Sequence, residues 1–151
     1  MSYFLRIIIR AACLLLLLLH FSGNAMCEEE AVIDAMQEFL DFTDYQGGAI
    51  TVEQIPPQDW DQFVIVDTRD TEQYRQGHIP GAINIEWRQI LTQRNELPTD
   101  KPILFYCNTA TLSAQAAFAL KIAGYNETKV LKGGYLAWQR AQKAVDTINA
   151  H

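Results

Sequence analysis

The stretch Ile103-Leu104-Phe105-Tyr106-Cys107-Asn108-Thr109-Ala110-Thr111-Leu112-Ser113 decides how the rest of this 151-residue sequence is read. Its first four side chains are all large and apolar or aromatic, with no polar face, the pattern of a strand covered on both sides. The strand ends on a cysteine and an uncharged loop follows. Thr111 to Ala123 then reads as an alanine-rich helix, with Gly124 placed to end it. A strand that feeds directly into a helix is half of a strand–helix–strand crossover. The expectation is a parallel sheet with its chemistry beyond the carboxyl ends of the strands.

Outward from this stretch the alternation repeats. Phe63-Val64-Ile65-Val66 is a second strand buried on both faces, and Thr71 to Gln76 a short helix ended near Gly77. Ala82-Ile83-Asn84-Ile85 reads as a strand, Glu86 to Gln93 as a helix, and Lys129-Val130-Leu131 as the last strand. Gly133-Gly134 turns the chain into a final helix from Tyr135 to about Val145. Upstream, Ala49 to Thr51 is a short strand, and Thr51 with Gln54 forms a capping box for a brief helix that Pro56-Pro57 disrupts. Glu28 to Phe42 is an amphipathic helix with Val32, Met36, Phe39 and Leu40 on one stripe. The fold class is α/β: about five strands, mainly parallel, with helices on both faces.

Composition narrows the function classes. With 12 basic and 18 acidic residues, a net charge of −6 and a pI near 4.9, the chain lacks the basic footprint of a nucleic-acid binder. It has no electrostatic reason to sit on an anionic membrane. An apolar content of 49% with 20% charged residues describes a chain that packs a core. No metal-spaced Cys/His cluster appears, so no metal is expected.

The apolar residues are unevenly spread. Arg6 and Arg10 precede Ala11 to Leu19, which holds six consecutive leucines and no polar group beyond Cys13. His20, Ser22, Gly23, Asn24 and Ala25 follow. A basic start, a short apolar run and a small-x-small end read as a secretory signal peptide cleaved after Ala25. A membrane span needs about 20 apolar residues, so no stable span is expected after cleavage and the mature protein is expected to be periplasmic or secreted. Asn24-Ala25-Met26 ahead of Cys27 is not the sequence that precedes a lipidated cysteine. The domain reading is a leader over 1–25, an N-terminal helix and linker over 26–48, the main domain over 49–147 and a C-terminal tail over 148–151. Cys27 and Cys107 remain in the mature chain, and whether they pair is left open by the sequence.

Cys107 is the candidate nucleophile. A thiol between a strand end and a helix start faces backbone N–H groups and the positive end of the helix, both of which favour thiolate. The hydroxyls of Thr109, Thr111 and Ser113 add neutral donors. Position alone fits a buried, inert cysteine equally well.

Asp67-Thr68-Arg69, Glu72-Gln73-Tyr74, Gly77-His78-Ile79-Pro80-Gly81-Ala82, Cys107 and Lys132-Gly133-Gly134-Tyr135-Leu136-Ala137-Trp138 together resemble a rhodanese domain, of the single-domain, exported type. The resemblance runs from about Ala49 to Val145. It implies a five-stranded parallel sheet and a sulfur-transfer cycle. In that cycle Cys107 takes a sulfane sulfur from a small anionic donor, carries it as a persulfide and passes it to a thiol or to cyanide. Backbone N–H groups of the loop Asn108, Thr109, Ala110, Thr111, Leu112 and Ser113 would hold the anionic sulfur, with no metal and no organic cofactor. The resemblance assigns no oligomeric state. Asp67 and Arg69 are expected to organise the surrounding loops, His78 to brace its own loop and Trp138 to lie in the core, with Trp87 either packing or lining the pocket mouth. Cys27 is read most simply as an exposed terminal thiol.

The loop departs from the better-known patterns. Thiosulfate-using relatives commonly carry Arg or Lys here, often with Gly near position 110, whereas Asn108 to Ser113 is uncharged and position 110 is Ala. A hydrosulfide-derived, polysulfide or persulfide donor is thus at least as well suited as thiosulfate. Phosphatases and arsenate reductases of the same fold place an Arg six positions after the cysteine. Here that residue is Ser113, and the bidentate oxyanion clamp is missing. The alternative reading is a non-catalytic rhodanese-like module that binds a partner or senses redox state through Cys107.

Overall fold

The computed structural model of the protein describes residues 29–43 and 48–149. The expected leader, its cleavage point and Cys27 lie outside the described residues. The chain divides into two compact units, Met1–Phe42 and Thr43–His151. Within the first, residues 29–42 form a helix, α1, on which Val32, Ile33, Met36 and Leu40 are exposed. Among the described residues no helix is long and apolar enough to cross a membrane.

The second unit is built on five strands: β1 (Ala49–Ile50), β2 (Val64–Asp67), β3 (Ile83–Asn84), β4 (Ile103–Tyr106) and β5 (Thr128–Leu131). Every pairing is parallel, and the order across the sheet is β1-β5-β4-β2-β3. Three α-helices belong to this unit: α2 (Thr71–Gln76), α3 (Thr111–Ile122) and α4 (Gly134–Asn149). Helix α4 runs past Val145, where the sequence reading ended it, and takes in 148–149 of the stretch read as a tail.

Side-chain alternation along the strands sorts the core into two layers. Val66, Ile103, Phe105 and Val130 point to one face, where they meet Ala116, Ala117 and Leu120 of α3. Ile65, Leu104, Tyr106 and Leu131 point to the other, against Tyr74 of α2 and Tyr135 and Trp138 of α4. Phe105, Tyr106, Leu104 and Leu120 are fully buried. Trp138 packs at the edge of its layer, half-buried, so it is less central than the sequence suggested.

The strand order decides where a site can form. After β2 the chain goes outward to β3, and after β4 it goes the other way to β5, with α2 and α3 on opposite faces. The crevice between the carboxyl ends of β2 and β4 is therefore the topological switch point. Register brings the two ends level, since Asp67 pairs with Tyr106. Thr68 then ties the strand ends together, its N and Oγ1 both donating to Tyr106 O at 2.8 and 2.9 Å.

One expected element is different. Glu86 to Gln93 is not a single α-helix but a 3-10 turn over Trp87–Gln89, followed by turns and a second 3-10 turn over Arg94–Glu96. Glu86 caps the first turn at Arg88 N, and Trp87 N donates to Thr68 O at 3.1 Å, which pins the start to the sheet. The residues that pack inward, Trp87 and Ile90, are three apart, the spacing that a three-residue turn aligns. Trp87 is thus packing. Pro56-Pro57 does end the first short turn, Val52–Gln54, yet Pro57 also opens a new one over Pro57–Gln62, with its fixed φ at the first position.

Candidate active site

Cys107 stands directly after β4, with 3% of its surface exposed. Its Sγ accepts a hydrogen bond from Ala110 N at 3.3 Å, and the Ser113 hydroxyl lies 3.8 Å away. Burial pushes the Cys107 thiol up, but the backbone N–H groups of Ser113, Thr109, Ala110 and Leu112 pull it down by more, so it titrates below its ordinary value. The loop therefore acts through its backbone. Thr109 and Thr111 present exposed side chains, and the hydroxyl beside the sulfur is that of the fully buried Ser113. That hydroxyl also donates to Ala110 O at 2.9 Å.

Two features aim those N–H groups inward. Ala110, at the start of α3, has φ +108°, the one described non-glycine residue with a positive φ. An alanine in this region costs about 1–3 kcal/mol, so the loop stores strain beside the sulfur. On the opposite side, the first turn of α4 presses against the loop. Tyr135 N donates to Cys107 O at 2.7 Å and Leu136 N to Asn108 O at 3.2 Å. The free N–H groups of a helix start hold the loop carbonyls, which leaves the loop N–H groups to the sulfur. Gly134 permits this approach, because a Cβ there would stand 2.2 Å from Cys107 O.

Asp67 and Arg69 form a buried pair below the loop. Arg69 Nε lies 3.0 and 3.1 Å from the two Asp67 oxygens, and Nη2 is 2.5 Å from Oδ2. Burial works against the guanidinium charge, and Asp67 more than offsets it, so Arg69 stays firmly protonated. Nη2 also donates to Gly77 O at 2.7 Å, while Cζ sits 4.1 Å from the Tyr135 ring centroid. One charged pair thus joins the ends of β2 and α2 to the start of α4. The Tyr106 hydroxyl accepts from Ile79 N at 3.1 Å, and burial, with the Asp67 charge nearby, raises it well above the usual phenol range. His78 stacks on Tyr74 at 4.0 Å and its Nδ1 is 2.9 Å from Tyr74 O, which makes it a brace for its own loop.

Asn108 was read from sequence only as a backbone donor, but its side chain is placed as firmly as any in the loop. Nδ2 donates to Gln73 Oε1 at 2.6 Å, and Oδ1 faces Arg69 Nη1 at 3.5 Å. The sequence signal for this was faint: an amide next to the cysteine and another on the helix after β2. Among the described residues no group of three or more His, Cys, Asp or Glu gathers that could hold a metal ion.

Comparison with known proteins agrees with this geometry. The Rhodanese-like domain family matches residues 49–141. The chain is 39% identical over 80 residues to the uncharacterized protein YqhL of Bacillus subtilis, covering 53% of this chain and 64% of that protein, just under two thirds of its length. It is 34% identical over 83 residues to the thiosulfate sulfurtransferase GlpE of Pseudoalteromonas translucida, covering 55% of this chain and 79% of that protein. In shape it is similar to the crystal structure of a protein from Lactobacillus plantarum, with a TM-score of 0.58 and 27% identity, over 72% of this chain and 94% of that one.

Proposed function

The chain belongs to the rhodanese-like domain family, and from that premise we propose that it is a sulfurtransferase in which Cys107 carries the transferred sulfur as a persulfide. A protein similar to it bears the name thiosulfate sulfurtransferase, which supports the reaction class. The observation that carries the reading is one buried sulfur with Ala110 N 3.3 Å from it, made more acidic by the backbone N–H groups of residues 109, 110, 112 and 113. A fixed set of N–H donors stabilises the thiolate and, after transfer, the terminal sulfur of a persulfide.

The cycle balances without net redox. The Cys107 thiolate attacks the outer sulfur of the donor; the new S–S bond forms as the donor's own bond to that sulfur breaks, and the remainder leaves with the electron pair. An acceptor thiolate or cyanide then attacks the terminal sulfur, and Cys107 departs as thiolate.

The donor is proposed to be a persulfide or an organic polysulfide, whose sulfane end carries at most one charge, in preference to thiosulfate. No residue from Asn108 to Ser113 is charged, and the guanidinium nearest the loop, that of Arg69, is neutralised by Asp67. The loop offers no positive charge to a dianion. With so little of Cys107 exposed, the donor approaches end-on.

The test is intact mass after incubation of reduced protein with polysulfide and, separately, thiosulfate, alongside Cys107→Ser. A gain of one sulfur from polysulfide that disappears in Cys107→Ser is expected. A folded, reduced protein that gains no sulfur from either donor overturns the carrier reading and leaves the non-catalytic module. Export is part of the proposal: residues 1–25 have the pattern of a cleaved leader, and protein recovered from an exporting host should have the mass of a chain that begins at Met26.

A further inference from the structure

We infer that the Asn108 side chain is a positioning residue: tied to α2 through Gln73, it holds Ala110 in its left-handed conformation and so keeps the Ala110 N–H on Cys107 Sγ. The inference rests on the reading of Cys107 as the working thiolate, and assigns the shaping of its cradle to a side chain that reaches back to a neighbouring helix.

The argument begins with the strain. A residue held at φ +108° without glycine's freedom stays there only when both its flanks are fixed. Downstream the fixing is plain: Ala114 N and Ser113 Oγ each donate to Ala110 O at 2.9 Å, locking it to the first turn of α3. Upstream stands Thr109, whose side chain is exposed, so the burden passes to Asn108. Asn108 has three tethers: Leu136 N on its carbonyl at 3.2 Å, Gln73 Oε1 on Nδ2 at 2.6 Å and Arg69 Nη1 on Oδ1 at 3.5 Å.

The chemistry of the two side-chain tethers fixes the amide's orientation. A guanidinium can only donate, so it must face Oδ1, which leaves Nδ2 for a carbonyl-type acceptor. Gln73 supplies that acceptor because its own N and Nε2 are both committed to Asp70, the N-cap of α2. Asp70, Gln73 and Asn108 therefore form a continuous latch from the end of β2 to the loop after β4. Alanine at 108 would keep the backbone tether and lose both others. With its upstream flank loosened, Ala110 relaxes toward negative φ and its N–H turns off the sulfur.

The test reads thiol acidity and not turnover: the pH dependence of iodoacetamide alkylation at Cys107, resolved by peptide mass in the full chain. Asn108→Ala is expected to raise the midpoint by about one pH unit, roughly a tenfold slower alkylation near neutral pH, the effect of losing one hydrogen bond to an anion. In an Ala110→Gly background the same substitution should move the midpoint by less than half as much, since glycine takes positive φ without strain. Gln73→Ala, on the short helix α2, cuts the latch from its other end and should shift the midpoint in the same direction; it carries the test if Asn108→Ala fails to fold. Wild-type midpoints in every folded latch variant, or a shift undiminished by Ala110→Gly, overturn the inference. Polysulfide loading of the wild type, measured in parallel, judges the persulfide reading separately.

Discussion

Gly134→Ala is the sharpest perturbation of this architecture. A Cβ at position 134 would lie 2.2 Å from Cys107 O, 2.7 Å from Asn108 C and 2.8 Å from Asn108 O. An ordinary carbon–oxygen contact is about 3.3 Å, so the loop and α4 must separate by roughly 1 Å. The neighbours are backbone atoms and cannot rotate away. Moving them apart takes the 2.7 Å bond from Tyr135 N to Cys107 O and the 3.2 Å bond from Leu136 N to Asn108 O beyond useful range. Two hydrogen bonds at about 1 kcal/mol each, with about 1–2 kcal/mol for placing a side chain at φ +56°, give a loss of about 3–4 kcal/mol. For a domain of this size that corresponds to a fall in Tm of roughly 10–20 °C. Gly81→Ala is the control: its φ is +80°, and a Cβ there meets nothing within 4 Å, so it reports the backbone cost alone. Chemical denaturation of both variants should show Gly134→Ala the more destabilised by at least about 2 kcal/mol, together with slower alkylation of Cys107 at neutral pH. Equal losses in the two variants would refute the claim that α4 holds the loop through its carbonyls.

Two further predictions follow from the charges. Asp67→Ala leaves Arg69 buried without its partner and should cost about 3–5 kcal/mol in chemical denaturation, whereas Asp67→Ala combined with Arg69→Met should recover a large part of that loss. The second concerns pH. Because the Cys107 thiol titrates below its ordinary value in the folded protein, its thiolate contributes stability that is fully present above the ordinary thiol value and is lost as pH falls through the folded value. The stability difference between reduced wild type and Cys107→Ser should therefore grow in favour of wild type between about pH 6 and about pH 9.5, above the ordinary thiol value of about 8.5. A difference that is flat or shrinks over that range contradicts the cradle's preference for thiolate.

What the sequence revealed, and what it hid, divides along a physical line. Buried strands announce themselves through unbroken apolar runs, so Phe63–Val66 and Ile103–Tyr106 were legible and lie within one residue of β2 and β4. The helix Thr71–Gln76 and its stop at Gly77 were legible too, because capping and termination are local. Glu86 to Gln93 misled because side chains three and four apart look alike in a short segment, and the tie to Thr68 that selects the tighter turn is long-range.

The site shows the same division. That Cys107 would meet backbone N–H groups follows from a strand end running into a helix. How they are made to converge does not, since it depends on contacts between segments far apart in the chain. The uncharged loop makes this consequential. Where a relative's loop carries a cationic side chain, charge can hold the sulfur anion even if the backbone is imperfectly placed. From Asn108 to Ser113 this chain has no such reserve, so its hold on an anionic sulfur falls to oriented peptide N–H groups and the Ser113 hydroxyl. That is the reason to expect strain at Ala110, a latch at Asn108 and a missing Cβ at Gly134 in one protein. Each fixes a peptide plane around the same sulfur, and loosening any one of them should be read out as a change in the acidity of Cys107.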